Sequence, residues 1–315
     1  MSSVGFIINE RSDRSASVLD DLLYITKRFN SVRTAVLDGV NGIDKALSEM
    51  GRKGVETLII GGGDGTLQAA FTDLMNHRRF EHMPHYVALP CGMTNVIAND
   101  CGLRGKPAES LHNFLWRWMR GAVHPASRNL LSIRNGDQDP IYGFFIGAGA
   151  FHSAVEFSRS KIQARGAKRS LALGLSVASY VWKSATDPTS AEDSIELTLE
   201  ESHQAEHCRT ASQKLFMATT LHRVGPGLFP FWGDQSGPMA VTTVEQPASR
   251  LLRAAPFVLK SKSRPWFRDY GYHSWRDTKL VARFNGPFVF DGEIFEAREN
   301  APLTLDTSRH ATFLY

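Results

Sequence analysis

The chain has 315 residues, 42% hydrophobic and 22% charged, which excludes a generally disordered protein and leaves room for two domains or one large core. A formal net charge of +4 is a mild basic bias, too small by itself to select nucleic acid or anionic lipid as a partner. Three cysteines, Cys91, Cys101 and Cys208, lack metal-ligand spacing and fit a reduced, cytosolic setting.

In chain order, residues 4–8 read as a strand and are too short to be the apolar core of a secretory leader, so none is expected. Residues 16–29 read as an amphipathic helix, 34–37 as a strand, 43–50 as a helix and 57–60 as a strand. The glycine-rich turn Gly61-Gly62-Gly63-Asp64-Gly65-Thr66 follows. It opens a helix in which Leu67, Ala70, Phe71, Leu74 and Met75 recur at helical spacing, and residues 85–89 then read as a fourth strand. Alternation of this kind predicts a parallel sheet with helices on both faces, binding ligands at the carboxyl ends of its strands. From about residue 129 the texture changes. Residues 130–134, 194–200, 278–284 and 287–290 read as antiparallel strands, with Asn135-Gly136 and Asp291-Gly292 as hairpin turns. One helical excursion is expected over 152–183; its apolar stretch, 170–182, is too short to span a bilayer. The expected fold is therefore α/β plus mainly β: an α/β nucleotide domain over 1–128 and a β-rich, sandwich-like domain over 129–301.

Four glycines in a strand-to-helix turn let backbone approach a ligand closely, and the turn aims free N–H groups and the helix dipole at one point, which suits phosphate. Asp64 in that loop would repel bare phosphate, so it implies a metal or a proton acceptor nearby. No Lys-Ser or Lys-Thr follows the glycines, which excludes a Walker A loop. Thr66 at the third glycine position, with no ribose-binding acid after the next strand, excludes the Rossmann fingerprint. Leu89-Pro90-Cys91-Gly92-Met93-Thr94-Asn95 follows the fourth strand at the same carboxyl edge. Read alone it is a turn with Asn95 as a helix cap; beside the Asp64 loop it makes a shared crevice. His77, His82 and His85 flank Pro84 in a polar connector and read as surface residues.

These motifs resemble the diacylglycerol kinase catalytic family, which includes sphingosine, ceramide and bacterial lipid kinases. Gly62-Gly63-Asp64-Gly65-Thr66 is similar to its nucleotide motif, residues 89–96 to its second loop, Gly147-Ala148-Gly149 to its junction strand and Asp291-Gly292-Glu293 to its late Asp-Gly-Glu. More distantly, the first motif resembles NAD kinases. The resemblance implies ATP and Mg²⁺ as cofactors, with nucleotide contacts from Asn9, Gly61, Gly62, Gly63, Gly65, Thr66, Gln68, Gly92, Thr94 and Asn95. It implies Asp64 as Mg²⁺ organiser or as the base itself, Glu293 as general base at an interdomain cleft, and a return of 302–315 to the first domain. Spacing alone would make Glu293 a solvated residue after a hairpin turn. The sequence departs from the family pattern at Asn9-Glu10-Arg11-Ser12, which keeps only the Asn, at Gln68-Ala69, at Met93 and at Val96. The family's Asp-Asp-Gly stretch is represented by Asp234-Gln235-Ser236-Gly237, which makes Asp234 the candidate for a structural metal.

Basic residues Arg159, Lys161, Arg165, Lys168 and Arg169 precede the apolar run 171–182. Arg250, Arg253, Lys260, Lys262, Arg264 and Arg268 interleave with Leu251, Leu252, Phe257, Trp266 and Phe267. Both patterns suit an anionic membrane surface, or else solvated faces over an ordinary core. No nucleic-acid module is recognisable, so nucleic acid is not an expected partner. The expectation is an ATP-dependent lipid kinase, cytoplasmic and peripheral to the inner face of the membrane, its acceptor a membrane lipid such as diacylglycerol or ceramide. A homodimer is compatible with the sequence. The alternatives are a soluble-substrate kinase akin to NAD kinase and a catalytically weak, nucleotide-responsive membrane-binding protein.

Overall fold

The computed structural model describes residues 3–156, 194–202, 208–225, 229–234, 236–298 and 301–315. The chain forms two compact units, the first comprising Met1–Leu130, Ile141–Gly143 and His310–Tyr315, the second Leu131–Pro140 and Phe144–Arg309. The fold is α/β followed by mainly β.

In the first unit β1 (Val4–Asn9), α1 (Ser15–Lys27), β2 (Val32–Leu37), α2 (Ile43–Arg52), β3 (Thr57–Gly62), α3 (Asp64–Asn76) and β4 (His85–Pro90) alternate. Then come α4 (Val96–Cys101), α5 (Pro107–Met119) and β5 (Pro125–Asn129). The six-stranded sheet has the order β2-β1-β3-β4-β17-β5, with β17 (His310–Leu314) parallel to β4 and antiparallel to β5. Phe6-Ile7-Ile8, Leu58-Ile59-Ile60 and Val87-Ala88-Leu89 are fully buried, as strands covered on both faces must be. Against one face pack Leu22 of α1 and Leu111, Phe114 and Leu115 of α5. The rings of Phe71, Tyr86 and Phe313 form a second contact, with centroids 5.0 to 6.1 Å apart. β7 (Ile141–Gly143) is held to α3 by Thr72, whose hydroxyl accepts from the Tyr142 N–H at 2.9 Å and donates to the Tyr142 carbonyl at 3.4 Å.

Helix α4 starts after Asn95, the helix cap of the turn reading, whereas α5 has no counterpart in the sequence expectation, although Leu111, Phe114 and Leu115 stand at helical spacing. The expected return of 302–315 is also shorter. Leu303–Asp306 forms β16, paired within the second unit, and only the final strand joins the first sheet.

In the second unit β6 (Leu131–Asn135), β8 (Phe145–Gly149), β9 (Ile195–Glu201), β10 (Thr210–Thr219), β13 (Lys279–Arg283), β14 (Gly286–Phe290), β15 (Glu293–Ala297) and β16 form an antiparallel sheet ordered β15-β14-β8-β10-β9-β13-β16-β6. Strand β10 changes partners along its length. Residues 210–213 pair with β9 and 215–219 with β8, while its other edge carries β11 (Met239–Glu245) and, beyond that, β12 (Tyr272–Asp277). The Asp291-Gly292 hairpin forms as expected, with both residues in the left-handed region (φ 46° and 88°). Asn135-Gly136 also turns, but the next strand begins only at Ile141. Residues 251–258 form a helix, α6 (Leu251–Val258), that the sequence expectation did not contain.

The helix expected over 152–183 is described as far as residue 156. Its remainder, with Arg159, Lys161, Arg165, Lys168, Arg169 and the run 171–182, lies outside the described residues, as does Gln235. Among the described residues no helix is long and apolar enough to cross a membrane.

Candidate nucleotide site

Strands β1, β3 and β4 are parallel neighbours, so the loops leaving their carboxyl ends converge. At the first, Asn9 donates to the Thr66 hydroxyl at 2.9 Å and accepts from the Arg11 N–H at 3.0 Å. Ser12 accepts from the Gly63 N–H at 3.3 Å and lies 3.5 Å from the Thr66 hydroxyl. Ser12 thus occupies the rim of the glycine loop, a position the sequence expectation did not assign. Its only signal was its place three residues after the strand-ending Asn9. The Cys91 N–H donates to the Gly62 carbonyl at 3.2 Å, and the Cys91 carbonyl accepts from Arg14 N–H at 2.9 Å. Three loops are therefore tied by backbone bonds.

Two of the glycines are required sterically. A Cβ on Gly92 would sit 2.4 Å from the Gly63 Cα, and one on Gly62 would sit 2.5 Å from the Thr66 Cβ. The N–H groups of Asp64 and Gly65, in the first turn of α3, have no backbone acceptor among the described residues. With the helix dipole behind them they form a donor array suited to a phosphate oxygen.

Asp64 begins α3 and is buried. Its carboxylate accepts from the Thr94 hydroxyl at 2.7 Å and the Val96 N–H at 3.1 Å on one oxygen, and from the Ile97 N–H at 3.0 Å on the other. It caps α4 from across the crevice, satisfying two N–H groups that helix has no internal partner for. Asn95 makes this geometry available. It adopts the left-handed conformation (φ 51°) and exchanges two 2.7 Å bonds with the Gly92 backbone, closing the loop tightly. Burial pushes the Asp64 carboxyl above its ordinary value, while the three donors pull against that shift.

Mg²⁺ is held by one or two protein carboxylates together with phosphate oxygens and water, and Asp64 is a carboxylate at this edge. Asp64 is engaged by three hydrogen bonds, and among the described residues no three His, Cys, Asp or Glu side chains come together. Asp234, expected as a structural metal ligand, accepts from Ser236 through the hydroxyl at 2.7 Å and the N–H at 3.3 Å, and interacts with the Arg276 cation.

The structure brings Asn9, Gly61, Gly62, Gly63, Asp64, Gly65, Thr66, Gly92, Thr94 and Asn95 together at one sheet edge. Gln68 is buried along α3 and donates to Thr72 at 3.4 Å. In the second unit, buried Asp291 accepts from the N–H groups of Phe144 at 2.9 Å and Phe145 at 3.0 Å, and its own N–H donates to the Phe145 carbonyl at 3.0 Å. These bonds fix the hairpin on β8. Glu293, exposed, is the first residue of β15 beyond that turn.

A family model, the diacylglycerol kinase catalytic domain, matches residues 3–123. A comparison with curated proteins found no match. Solved structures assigned as diacylglycerol kinases from Bacillus anthracis str. Sterne are similar to the chain over its whole length: one at a TM-score of 0.68 and 13% identity, another at 0.62 and 13%, a third at 0.61 and 12%. Each comparison covers 100% of this chain and 97% of the other; at such identity the likeness is one of fold. The glycine loop, the second loop and the strands that carry them all lie inside the matched residues, so residues 3–123 are similar to the diacylglycerol kinase catalytic domain.

Proposed function

We propose that the protein is a lipid kinase that transfers the γ-phosphate of ATP to a hydroxyl of diacylglycerol, ceramide or a related membrane lipid. The observation that carries this reading is the N–H array of Asp64 and Gly65, at a glycine loop packed against the second loop, in a chain whose residues 3–123 match a kinase-domain model. In phosphoryl transfer the protein positions the phosphates, neutralises their charge and receives the proton of the attacking hydroxyl. The array would bind phosphate oxygens, Asn9 and Ser12 would hold Thr66 and the loop in place, and Thr94 would face the same edge. Asp64 shapes the second loop by capping α4. Glu293 is our candidate for the proton acceptor, resting on the Asp-Gly-Glu resemblance and on the rigid hairpin that Asp291 fixes. We place the reaction on the cytoplasmic face of an anionic membrane.

The test is transfer of labelled γ-phosphate from ATP with Mg²⁺ into diacylglycerol, ceramide, sphingosine, monoacylglycerol and a bacterial lipid extract in mixed micelles. Labelling is expected in one lipid class, lost in Glu293→Gln with the fold unchanged. Asp64→Asn is informative only beside a stability measurement, because the same carboxylate holds α4. A second reading, a nucleotide-responsive protein with weak catalysis, is favoured by the three hydrogen bonds that occupy Asp64. Tight ATP binding with no lipid or soluble acceptor labelled would establish it.

A further inference from the structure

Residues 250–268 contain six basic residues and no acidic one. Within this stretch α6 is amphipathic in an unusual sense, having two apolar faces. Leu251, Ala254 and Val258 pack on a cluster with Val244, Phe267 and Tyr272. Leu252, Pro256 and Leu259, spaced four and three residues apart, form an outward stripe, with Leu252 47% and Leu259 37% exposed. Arg253, Lys260, Lys262 and Arg264 are exposed beside it. The helix end is anchored, since Leu259 O accepts from the Phe229 N–H at 3.1 Å and the Ser261 hydroxyl donates to the Phe229 carbonyl.

We propose that α6 and the segment that follows it, through Arg268, are the docking surface of this chain for an anionic lipid leaflet. The choice of a lipid source rests on the lipid-kinase reading above; the geometry argues it independently of nucleic acid. Single-stranded nucleic acid binds by stacking bases on open aromatic faces. Here the rings are covered by the chain's own guanidinium groups: Arg250 lies 4.0 Å from the Tyr270 ring centre, Arg264 3.9 Å from Phe257 and Arg253 5.5 Å from Trp266. What is left outward is aliphatic and cationic, the combination that enters the headgroup region of an anionic bilayer.

The experiment is sedimentation of the full chain with phosphatidylcholine vesicles, with and without phosphatidylglycerol, beside a single-stranded DNA oligomer. Binding is expected only with phosphatidylglycerol. The variant Lys260→Gln/Lys262→Gln should lose about 25-fold, roughly fivefold for each cation. Leu252→Ser/Leu259→Ser should lose about tenfold, most clearly at high salt where charge is screened. Cooperative melting checks that both variants fold. Both variants should still phosphorylate a short-chain, water-soluble acceptor as well as wild type. Vesicle binding with this pattern but without any phosphoryl transfer would sustain the docking surface and remove the kinase reading. Indifference to phosphatidylglycerol, or leucine variants that bind like wild type, would overturn the proposal. Tighter binding to DNA than to anionic vesicles would do the same.

Discussion

A buried carboxylate that accepts three hydrogen bonds is held between two opposing forces, and Asp64 can be used to measure which is larger. Burial raises its pKa above the ordinary 3.8, so the folded state favours the protonated form. The stability this contributes is fully present below 3.8 and is lost as pH rises through the folded pKa. Asp64→Asn has no such slope. It keeps an acceptor for Ile97 N–H but presents an amide to Val96 N–H, leaving one cap donor unpaired, and should lose about 1–2 kcal/mol. In urea titrations the stability gap between wild type and Asp64→Asn should narrow as pH rises from 3.8; a widening gap would mean that the three donors outweigh burial. The neighbouring Cys91 gives a simpler expectation. Its thiol is buried and pushed up to about 11 by desolvation, so native protein should be alkylated at exposed Cys208 and spared at Cys91.

Between elements, the glycine loop and the second loop meet through glycine backbone, and the contact is asymmetric. A Cβ on Gly92 would fall 2.4 Å from Gly63 Cα, whereas one on Gly63 would lie 3.4 Å from Gly92 Cα. Gly92→Ala should therefore part the loops, destabilise by about 1–3 kcal/mol and weaken ATP binding, while Gly63→Ala should be close to neutral for folding. Calorimetric titration of ATP with a parallel thermal melt decides this. The same reasoning separates the two carboxylates of the late hairpin. Asp291→Ala strands the N–H groups of Phe144 and Phe145 and should lose roughly 2–4 kcal/mol, whereas Glu293→Gln, at an exposed position, should stay within about 0.5 kcal/mol in chemical denaturation. These contrasts also show what could be read without coordinates. Strands β1, β3 and β4 were legible because strands buried on both faces write continuous apolar runs, and the glycine loop because close backbone approach demands glycine. The cap from Asp64 to Val96 and Ile97 was not, since it joins residues some thirty positions apart through backbone N–H groups that any side chain carries. Nor was the partner change along β10, because strand pairing leaves no mark on a single strand. Helix α6 was not legible because Pro256 inside an eight-residue segment argues locally against a helix.

At the scale of the whole molecule, the sheet of the first unit is assembled from both sides of the second unit's sequence. Strand β17 lies between β4 and β5, and Phe313 is fully buried against Phe71 and Tyr86. Removing residues 310–315 should leave β5 without a neighbour and abolish cooperative unfolding of the first unit. Phe313→Ala should lose about 3–5 kcal/mol while retaining the sheet. Circular dichroism melts of both variants test this.

The position of β17 also orders events in time. A ribosome reads residues 131–309 before it reaches His310, so the second unit is complete in sequence while the first still lacks a strand. The glycine loop, though encoded early, stands until then on a sheet with an open seam beside β4. The nascent chain would thus settle its glycine loop late, once β17 has closed the seam beside β4.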